Sequence, residues 1–292
     1  MKKIAFIGLL FISAFIQAQD SLRLKIAHIA KAAKGTVCVS IENLETGDTL
    51  SYNGSFHSPM QSVFKFPIAL TVLSLVDDKK LNLAQKIHLN KSVLADTETY
   101  SPMRDKYYGK DTDITLNELL GFMVSESDNI ACDILIEQVS GVTNIERHIH
   151  ELGVPGIAIA ATEREMHRDN TLQYKSWCEA KEMTHLLKLL YKGKCLSPAS
   201  TAYLIKLMEE TSTGPKRLKG LLPKGTVVAH KSGSSGTNKG LTAATNDVGV
   251  ITLPNGHHLI ITVFVTNSKG SLNTIESVIA KISKAAYSSM NK

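Results

Sequence analysis

A serine and a lysine three positions apart, Ser62 and Lys65, are suited to nucleophilic catalysis. An apolar run from Ile68 to Val76 follows them and predicts a buried helix. Residues three apart on a helix share one face, so the amine lies about one turn from the hydroxyl. A serine hydroxyl is a poor nucleophile until a base takes its proton, and a buried lysine supplies such a base. The spacing predicts a catalytic Ser–Lys pair at a helix start, although a serine there also serves as an ordinary N-cap.

Two further motifs downstream supply the other groups that an acyl-transfer reaction needs. Ser127-Asp128-Asn129 lies between two helical patterns, and Lys231-Ser232-Gly233 ends a strand pattern just before a glycine-containing turn. The first motif offers a hydroxyl to relay a proton to a leaving nitrogen and an amide to hold a substrate amide. The lysine of the second motif can hold a carboxylate or tune the relay serine. Each motif alone is weak, whereas three motifs in this order over about 170 residues are specific.

Strand patterns lie near both chain ends, and helical patterns fill the middle. The predicted strands are 36–41, 50–52, 225–230, 244–253 and 259–265, with the hairpin signal Asn255-Gly256 between the last two. We predict an α/β (more narrowly α+β) fold of one domain, residues 19–292, with an antiparallel sheet built from both chain ends and flanking helices. An all-helical lobe, about residues 61–210, is inserted between sheet segments of about 19–60 and 211–292. The cleft between the lobes suits a site.

Apolar periodicity predicts where the helices lie. The predicted helical segments are 20–34, 85–94, 129–139, 142–151, 179–191, 198–210 and 272–287. A further helix begins at Thr115, where Glu118 three positions later completes a capping box.

The first eighteen residues have the order of a secretory signal. Lys2 and Lys3 precede an apolar run over residues 4–16, and Ala18 is a small residue suited to cleavage. The run is too short for a membrane-spanning helix, so we predict a cleaved signal in residues 1–18 rather than a retained anchor. No membrane span is expected in the mature chain. Cleavage removes two charges from the formal net charge of +6 and leaves about +4.

The remaining charge excess is mild and does not interleave with aromatic residues, which make up only 6% of the chain. Such a composition argues against a nucleic-acid partner. The four cysteines are far apart in sequence, and a chain of 292 residues does not need disulfide staples. We therefore expect free thiols, with Cys178–Cys195 as the alternative pairing. No spacing of histidines and cysteines matches a metal site, so we predict no metal.

The three motifs together resemble those of class A serine β-lactamases, and the likeness extends over nearly the whole mature chain. Within that family the chain is most similar to the extended-spectrum branch that includes the PER and CfxA types. The stretches that carry this likeness are 100–102, 162–167, 213–223 and 243–249. The resemblance implies an enzyme exported to the periplasm that opens the β-lactam ring of penicillins and cephalosporins without a cofactor.

The resemblance also implies a role for each matching residue. Ser62 would be the acylated nucleophile, Lys65 its proton partner, and Ser127 the proton donor to the lactam nitrogen. Backbone N–H groups of Ser62 and Ser234 would form the oxyanion hole. The residues implied in substrate binding are Tyr100 on the cleft wall, Asn129 at the acylamide side chain, and Lys231, Ser232, Gly233 and Arg217 around the substrate carboxylate.

Hydrolysis of an acyl-enzyme needs an activated water, and here the chain departs from the family's usual R-x-E-x-x-L-N pattern. Residues 161–167 read ATEREMH. That register selects Glu163 as the base, with His167 in place of the asparagine that normally helps to hold the water. Glu165 remains a competing candidate. Ala161 occupies the usual arginine position, so the ion pair that closes this loop in relatives would be absent.

The sequence therefore predicts a serine β-lactamase that is acylated at Ser62 and deacylated through Glu163. The branch resemblance implies cephalosporins among its good substrates, inhibition by mechanism-based compounds of the clavulanate type, and Ser235 and Thr237 as contributors to specificity. We expect a monomer. The alternatives are a D-alanyl-D-alanine carboxypeptidase or transpeptidase, and a β-lactam-binding sensor that stays acylated. Glu163 and the lack of a second hydrophobic span in the sequence count against both.

Overall fold

The computed structural model describes residues 20–95 and 98–291, and the predicted signal in residues 1–18 lies outside them. The helices are α1 (20–30), α2 (Lys65–Asp77), α3 (Pro102–Tyr107), α4 (Leu116–Ser125), α5 (Asn129–Gln138), α6 (Val142–Glu151), α7 (Glu163–Arg168), α8 (Ala180–Tyr191), α9 (Pro198–Glu209) and α10 (Leu272–Met290). The strands are β1 (Thr36–Asn43), β2 (Thr49–Tyr52), β3 (Ser58–Pro59), β4 (Lys86–Leu89), β5 (Thr112–Thr115), β6 (Ile157–Ala158), β7 (Trp177–Cys178), β8 (Val228–Ser234), β9 (Thr237–Asn238), β10 (Leu241–Thr252) and β11 (His258–Ser268).

The main sheet is antiparallel and combines strands from both ends of the chain, as predicted. Its strands lie in the order β2-β1-β11-β10-β8, and β9 pairs with the beginning of β10. Pairing of β1 with β11 over its whole length joins the N-terminal segment to the C-terminal hairpin. The predicted turn at Asn255-Gly256 connects β10 to β11. The predicted α/β fold class is confirmed, but the inserted lobe is not all-helical, because β4 pairs with β5 and β6 with β7 inside residues 61–210.

The sheet is covered on both faces by separate apolar cores. On β11, Ile261, Val263 and Val265 join the core that includes residues of α1 and α10. Ile260 and Phe264 point the opposite way, into the larger core shared with the helical region, because successive side chains of a strand alternate between faces. Burial on both sides explains why these strands read as continuous apolar runs in the sequence.

Helix α2 is the central element of the helical region. Every residue from Lys65 to Leu73 is buried, and α2 contacts α4, α5, α6 and α9. The predicted buried helix behind Ser62 is therefore confirmed. Ser62 itself lies one turn earlier, in a 3-10 turn over Gln61–Phe64. The nucleophile candidate is thus attached directly to the most deeply packed helix of the lobe.

The other predicted helices match observed helices closely, with one exception. At α4, Thr115 and Glu118 form the predicted capping box. The helix predicted over 85–94 is wrong, because Lys86–Leu89 form β4 and pair with β5. Burial on β4 deepens only at every second residue, which fits a strand with one face turned to solvent. Among the described residues, no helix is long and apolar enough to cross a membrane.

Candidate active site

Ser62 lies in a constrained turn against the end of strand β8. The preceding residue, Gln61, adopts a left-handed φ of +50°, which is uncommon for a residue other than glycine. A Cβ atom on Gly233 would lie 2.6 Å from the carbonyl oxygen of Met60 and 3.1 Å from the backbone nitrogen of Ser62. Glycine is therefore required at this position of the third motif. Its close approach brings the neighbouring backbone of Ser234 towards Ser62.

Lys65 is fully buried and lies among four oxygen atoms. Its Nζ is 3.0 Å from Ser62 Oγ, 2.8 Å from the carbonyl oxygen of Ser127, 2.5 Å from Asn129 Oδ1 and 2.8 Å from Glu163 Oε1. An ammonium group has three donors and no acceptor, so these four oxygens share its protons. The Ser–Lys pair predicted from spacing is thus part of a cluster that also includes the second motif and the glutamate loop.

Glu163, and not Glu165, reaches the nucleophile. Glu163 Oε1 lies 3.4 Å from Ser62 Oγ, and its side chain is only 10% exposed. Glu165 instead caps α7, where its Oε2 accepts hydrogen bonds from the backbone nitrogen and the hydroxyl of Thr162, both at 2.9 Å. These bonds lower the pKa of Glu165. The sequence contained this capping box as Thr162-x-x-Glu165, and our sequence reasoning missed it.

Asp133 fixes the start of α7 and was also missed. Its Oδ1 accepts from the backbone nitrogen of Glu163 at 2.8 Å, and its Oδ2 accepts from that of Arg164 at 3.0 Å. The first N–H groups of a helix have no acceptor within the helix, so Asp133 satisfies two of them from α5. Burial raises the pKa of Asp133 to about 6, against the lowering effect of these two bonds. The only sequence signal was its spacing of four from Asn129, which places both on one helix face.

Ser127 connects the two buried lysines of the site. Its backbone carbonyl accepts from Lys65, and its Oγ accepts from Lys231 Nζ at 2.9 Å. Ser127 has a left-handed φ of +61°, which the turn between α4 and α5 imposes. Lys231 is fully buried, and burial together with the nearby charge of Lys65 lowers its pKa well below the usual range. The second and third motifs therefore meet through a hydroxyl–amine contact.

Asp128 holds the second motif in place. Its Oδ1 accepts from the backbone nitrogen of Ala131 as an N-cap of α5, and its Oδ2 accepts from Ser101 Oγ at 2.7 Å. The adjacent carbonyl of Tyr100 accepts from the backbone nitrogen of Asn129 at 3.1 Å. The Tyr100 ring is 55% exposed, and burial of its remainder raises the pKa of its hydroxyl. Tyr100 thus lies beside Asn129, at the protein surface.

Arg217 is fixed at the end of β8 by hydrogen bonds from all three nitrogens of its guanidinium group. Its Nη1 donates to the carbonyl of Gly233 at 3.0 Å, its Nη2 to Ser234 Oγ at 2.6 Å, and its Nε to Glu276 Oε1 at 3.2 Å. Ser232 Oγ lies 2.7 Å from the hydroxyl oxygen of Thr213. The predicted carboxylate-binding residues are therefore brought together at one strand end.

A cavity of about 840 Å³ opens beside Ser62. The predicted residues that line it are Ser62, Asn129, Glu163, His167, Ser234, Ser235 and Thr237. His167 Nε2 lies 3.3 Å from Glu98 Oε2, so its ring contacts that carboxylate rather than Glu163. In the part of the chain that the structure describes, no group of His, Cys, Asp and Glu side chains is arranged to hold a metal ion, and the four cysteines are free thiols.

Comparison with known proteins gives one consistent result. The family described as the β-lactamase enzyme family matches residues 21–290. The chain is 43% identical to β-lactamase VEB-1 of Pseudomonas aeruginosa over 96% of this chain and 94% of that protein. It is 42% identical to the extended-spectrum β-lactamase PER-1 of the same organism over 91% and 86% of the two chains. The crystal structure of a β-lactamase from Chitinophaga pinensis matches with a TM-score of 0.90 at 48% identity, over 92% of this chain and 98% of that one.

These matches span nearly the whole chain and include the described motifs. They confirm the predicted family resemblance, including its similarity to the PER type. With the serine–lysine cluster, the buried glutamate and the family match in agreement, the chain belongs to the class A serine β-lactamases.

Proposed function

We propose that this enzyme opens the β-lactam ring through an acyl-enzyme on Ser62 and hydrolyses that acyl-enzyme with water activated by Glu163. One observation carries the assignment: Glu163 Oε1 lies 2.8 Å from Lys65 Nζ and 3.4 Å from Ser62 Oγ. A base beside the acylated oxygen favours hydrolysis over a lasting adduct. The carboxypeptidase and sensor alternatives are set aside for this reason and because the matching family is one of β-lactamases.

Acylation begins when Ser62 Oγ attacks the lactam carbonyl carbon. Its proton passes to the Lys65–Glu163 pair, which contacts the hydroxyl on both sides. The lactam C–N bond then breaks, and its nitrogen takes the hydroxyl proton of Ser127. The proton that Ser62 gave up moves from the Lys65–Glu163 pair to Ser127, which lies beside Lys65 Nζ. Glu163 is then a carboxylate again, and Lys231, 2.9 Å from Ser127 Oγ, keeps its charge.

Deacylation uses the same carboxylate a second time. Glu163 takes a proton from a water molecule as the water oxygen attacks the ester carbonyl carbon. The bond to Ser62 Oγ breaks, and Ser62 Oγ takes back the proton that Glu163 removed from the water, which restores the carboxylate. General-base catalysis of this kind contributes about 10²–10⁴-fold to the rate. Asp133 supports the step by holding the backbone nitrogen of Glu163.

Substrate binding uses the residues at the end of β8 and around Asn129. Lys231, Ser232 and Arg217 bind the substrate carboxylate, for which the planar guanidinium group is well shaped. The amide of Asn129 binds the acylamide side chain. The backbone N–H groups of Ser62 and Ser234 stabilise the oxyanion of the tetrahedral intermediate.

The substrates we propose are penicillins and cephalosporins, with extended-spectrum cephalosporins among them. The relative PER-1 is named an extended-spectrum β-lactamase, which supports this proposal. A second support is the cavity of about 840 Å³, which continues past Ser62 along Ser235 and Thr237. Clavulanate-type compounds would inhibit through the same acyl-enzyme chemistry. We propose that the mature enzyme is a periplasmic monomer after removal of residues 1–18.

Intact-protein mass, followed over minutes after mixing with a cephalosporin, tests the proposal on the wild type, Glu163→Gln and Glu165→Gln. Wild type and E165Q should return to the unmodified mass as the drug is consumed, whereas E163Q should keep the adduct. E165Q is a matched control because it changes the same residue type two positions away and weakens only a helix cap, worth about 1 kcal/mol. An adduct that persists only in E165Q would reassign the base. A persistent wild-type adduct would contradict hydrolysis, and no adduct in any protein would exclude Ser62.

A further inference from the structure

A fully buried histidine–aspartate pair lies on the other face of the sheet from the Lys231 side chain. Neither His230 on β8 nor Asp247 on β10 has exposed side-chain surface. His230 immediately precedes Lys231, and Asp247 is paired in register with Ser232. Successive residues alternate between faces and paired residues share one, so His230 and Asp247 both point away from the Lys231 amine. The mechanism proposed above uses neither residue.

The Asp247 carboxylate connects two segments that carry substrate-binding residues. Its Oδ1 lies 2.8 Å from His230 Nδ1, and its Oδ2 accepts from the backbone nitrogen of Leu218 at 3.0 Å. An ionised carboxylate only accepts, so His230 donates from Nδ1. His230 Nε2 is buried and has no partner among the described residues, so a protonated ring would leave an unmatched N–H there. The neutral ring fits, and the pair then carries one buried negative charge.

That charge acts on Lys231, and Asp247 also holds the segment that carries Arg217. Leu218 directly follows Arg217, so the hydrogen bond from its nitrogen fixes the backbone that carries the guanidinium group. Burial and Lys65 lower the pKa of Lys231, and Asp247 is the strongest acidic influence in the opposite direction. The other ionisable groups that act on Lys231 are Glu163 and Cys132, and Asp247 also acts on Lys219.

We propose that His230 and Asp247 are positioning residues for recognition of the substrate carboxylate. Asp247 fixes the Arg217–Leu218 backbone and supplies, through the sheet, the negative charge that keeps Lys231 cationic. His230 donates to the other oxygen of that carboxylate, and a buried charge needs hydrogen-bond partners on both oxygens. The inference rests on the proposed roles of Lys231 and Arg217 in binding the carboxylate.

The test compares a cephalosporin with its methyl ester, which lacks the carboxylate charge. The measured quantity is the ratio of kcat/KM for the acid to kcat/KM for the ester, which is independent of how much of a preparation is folded. Asp247→Asn keeps an acceptor for Leu218 but removes the charge. We expect it to lower the ratio about tenfold, mainly through KM for the acid, and to move the alkaline limb of kcat/KM for the acid to lower pH by roughly one unit.

Two substitutions of His230 separate charge from packing. His230→Leu removes one of the two donors to Asp247, so the ratio and the alkaline limb should change in the same direction as in D247N. His230→Asn keeps an amide donor and should restore values near those of the wild type. Ser283→Ala is the matched control, because Ser283 Oγ donates to the carbonyl of the same Leu218 at 2.9 Å but carries no charge. It should leave the ratio unchanged.

An unchanged ratio and pH profile in D247N or H230L, whichever folds, would overturn the inference. An equal fall in S283A would also overturn it, since the effect would then come from packing alone. Acylation of Ser62 and its dependence on Glu163 are measured separately by mass. An unchanged ratio in these variants would contradict the positioning role of His230 and Asp247 but not the proposed hydrolysis. A wild type that is not acylated would contradict both proposals.

Discussion

Two fully buried lysines flank Ser127, and their surroundings differ. Lys65 forms an ion pair with Glu163 at 2.8 Å. Lys231 has no ion pair among the described residues, and its Nζ contacts only Ser127 Oγ and the carbonyl of Ser232. Burying a charge without a partner is costly, and the lowered pKa of Lys231 reflects that cost. We infer that Lys65 is paired with a carboxylate of the protein, Glu163, that takes part in the reaction. Lys231 instead pairs with the carboxylate of the substrate when the substrate binds.

With the roles proposed above, this comparison divides the site into two halves. The hydrolysis half comprises Ser62, Lys65 and Glu163 on the helical region, and the binding half comprises Lys231, Ser232 and Arg217 at the end of β8 and the loop before it. Ser127 belongs to both. The division predicts that substitutions in the two halves affect different steps and change stability in different directions.

The largest effects are expected from replacing each lysine by methionine, which keeps the length of the side chain. Lys65→Met should lower kcat about 10³–10⁴-fold, because the nucleophile loses its proton partner. It should also lower the free energy of unfolding by about 3 kcal/mol, because Glu163 stays buried without a cation. Steady-state kinetics and urea unfolding measure the two changes.

Lys231→Met should raise KM at least about tenfold through loss of the carboxylate partner. It should raise the free energy of unfolding by about 1 kcal/mol, because it removes a buried amine that has no ion pair. If both variants were destabilised equally, the distinction between the two lysines would be wrong.

The next largest effect concerns Asp133, which anchors the hydrolysis half. Its pKa rises from 3.8 in an unfolded chain to about 6 in the fold, so the folded state binds the proton more tightly. The stability contributed by this proton is fully present below pH 4 and is lost as the pH rises through 6. Relative to Asp133→Asn, which does not titrate, the wild type should lose up to about 3 kcal/mol between pH 4 and 7.

Urea unfolding of both proteins at pH 4, 5, 6 and 7 measures this difference directly, because titrations elsewhere in the chain cancel between them. A difference that stays constant with pH would contradict the account of Asp133. Deacylation in D133N should also slow about tenfold at pH 7, because one backbone nitrogen at the start of α7 loses its acceptor.

The smallest expected effect is in the binding half. Ser232→Ala removes one hydroxyl beside the substrate carboxylate and should raise KM about fivefold, the worth of about 1 kcal/mol for one hydrogen bond. Ser232→Thr keeps the hydroxyl and should stay near the wild-type value. Steady-state kinetics on one cephalosporin compare all three proteins. A changed rate of deacylation in S232A would show that Ser232 does not belong to the binding half alone.

Much of the fold followed from local patterns. The helices and the sheet strands were predictable because their apolar residues repeat with the period of each element, and the three motifs indicated which residues would meet. The error at 85–94 arose because four residues with mixed burial carry little periodicity, and only pairing with the distant β5 decides their conformation.

The supporting residues of the site were harder to predict than the reacting ones. Asp133 and Asp247 act through backbone nitrogens and a buried histidine from other segments, and such contacts leave no short-range pattern. Glu165 is the exception, since its capping box was legible in the sequence. That box engages Glu165 at the start of α7 and so favours Glu163 as the base.

Single-turnover kinetics of the wild type, Glu163→Gln and Arg217→Ala on one cephalosporin would test the division most directly, because rapid mixing separates binding, acylation and deacylation. The account predicts that E163Q slows deacylation about 10²–10⁴-fold while substrate affinity stays near that of the wild type. It predicts that R217A weakens affinity and leaves the deacylation rate unchanged. Slower deacylation in R217A, or weakened affinity in E163Q with normal deacylation, would contradict the division of the site into a hydrolysis half and a binding half.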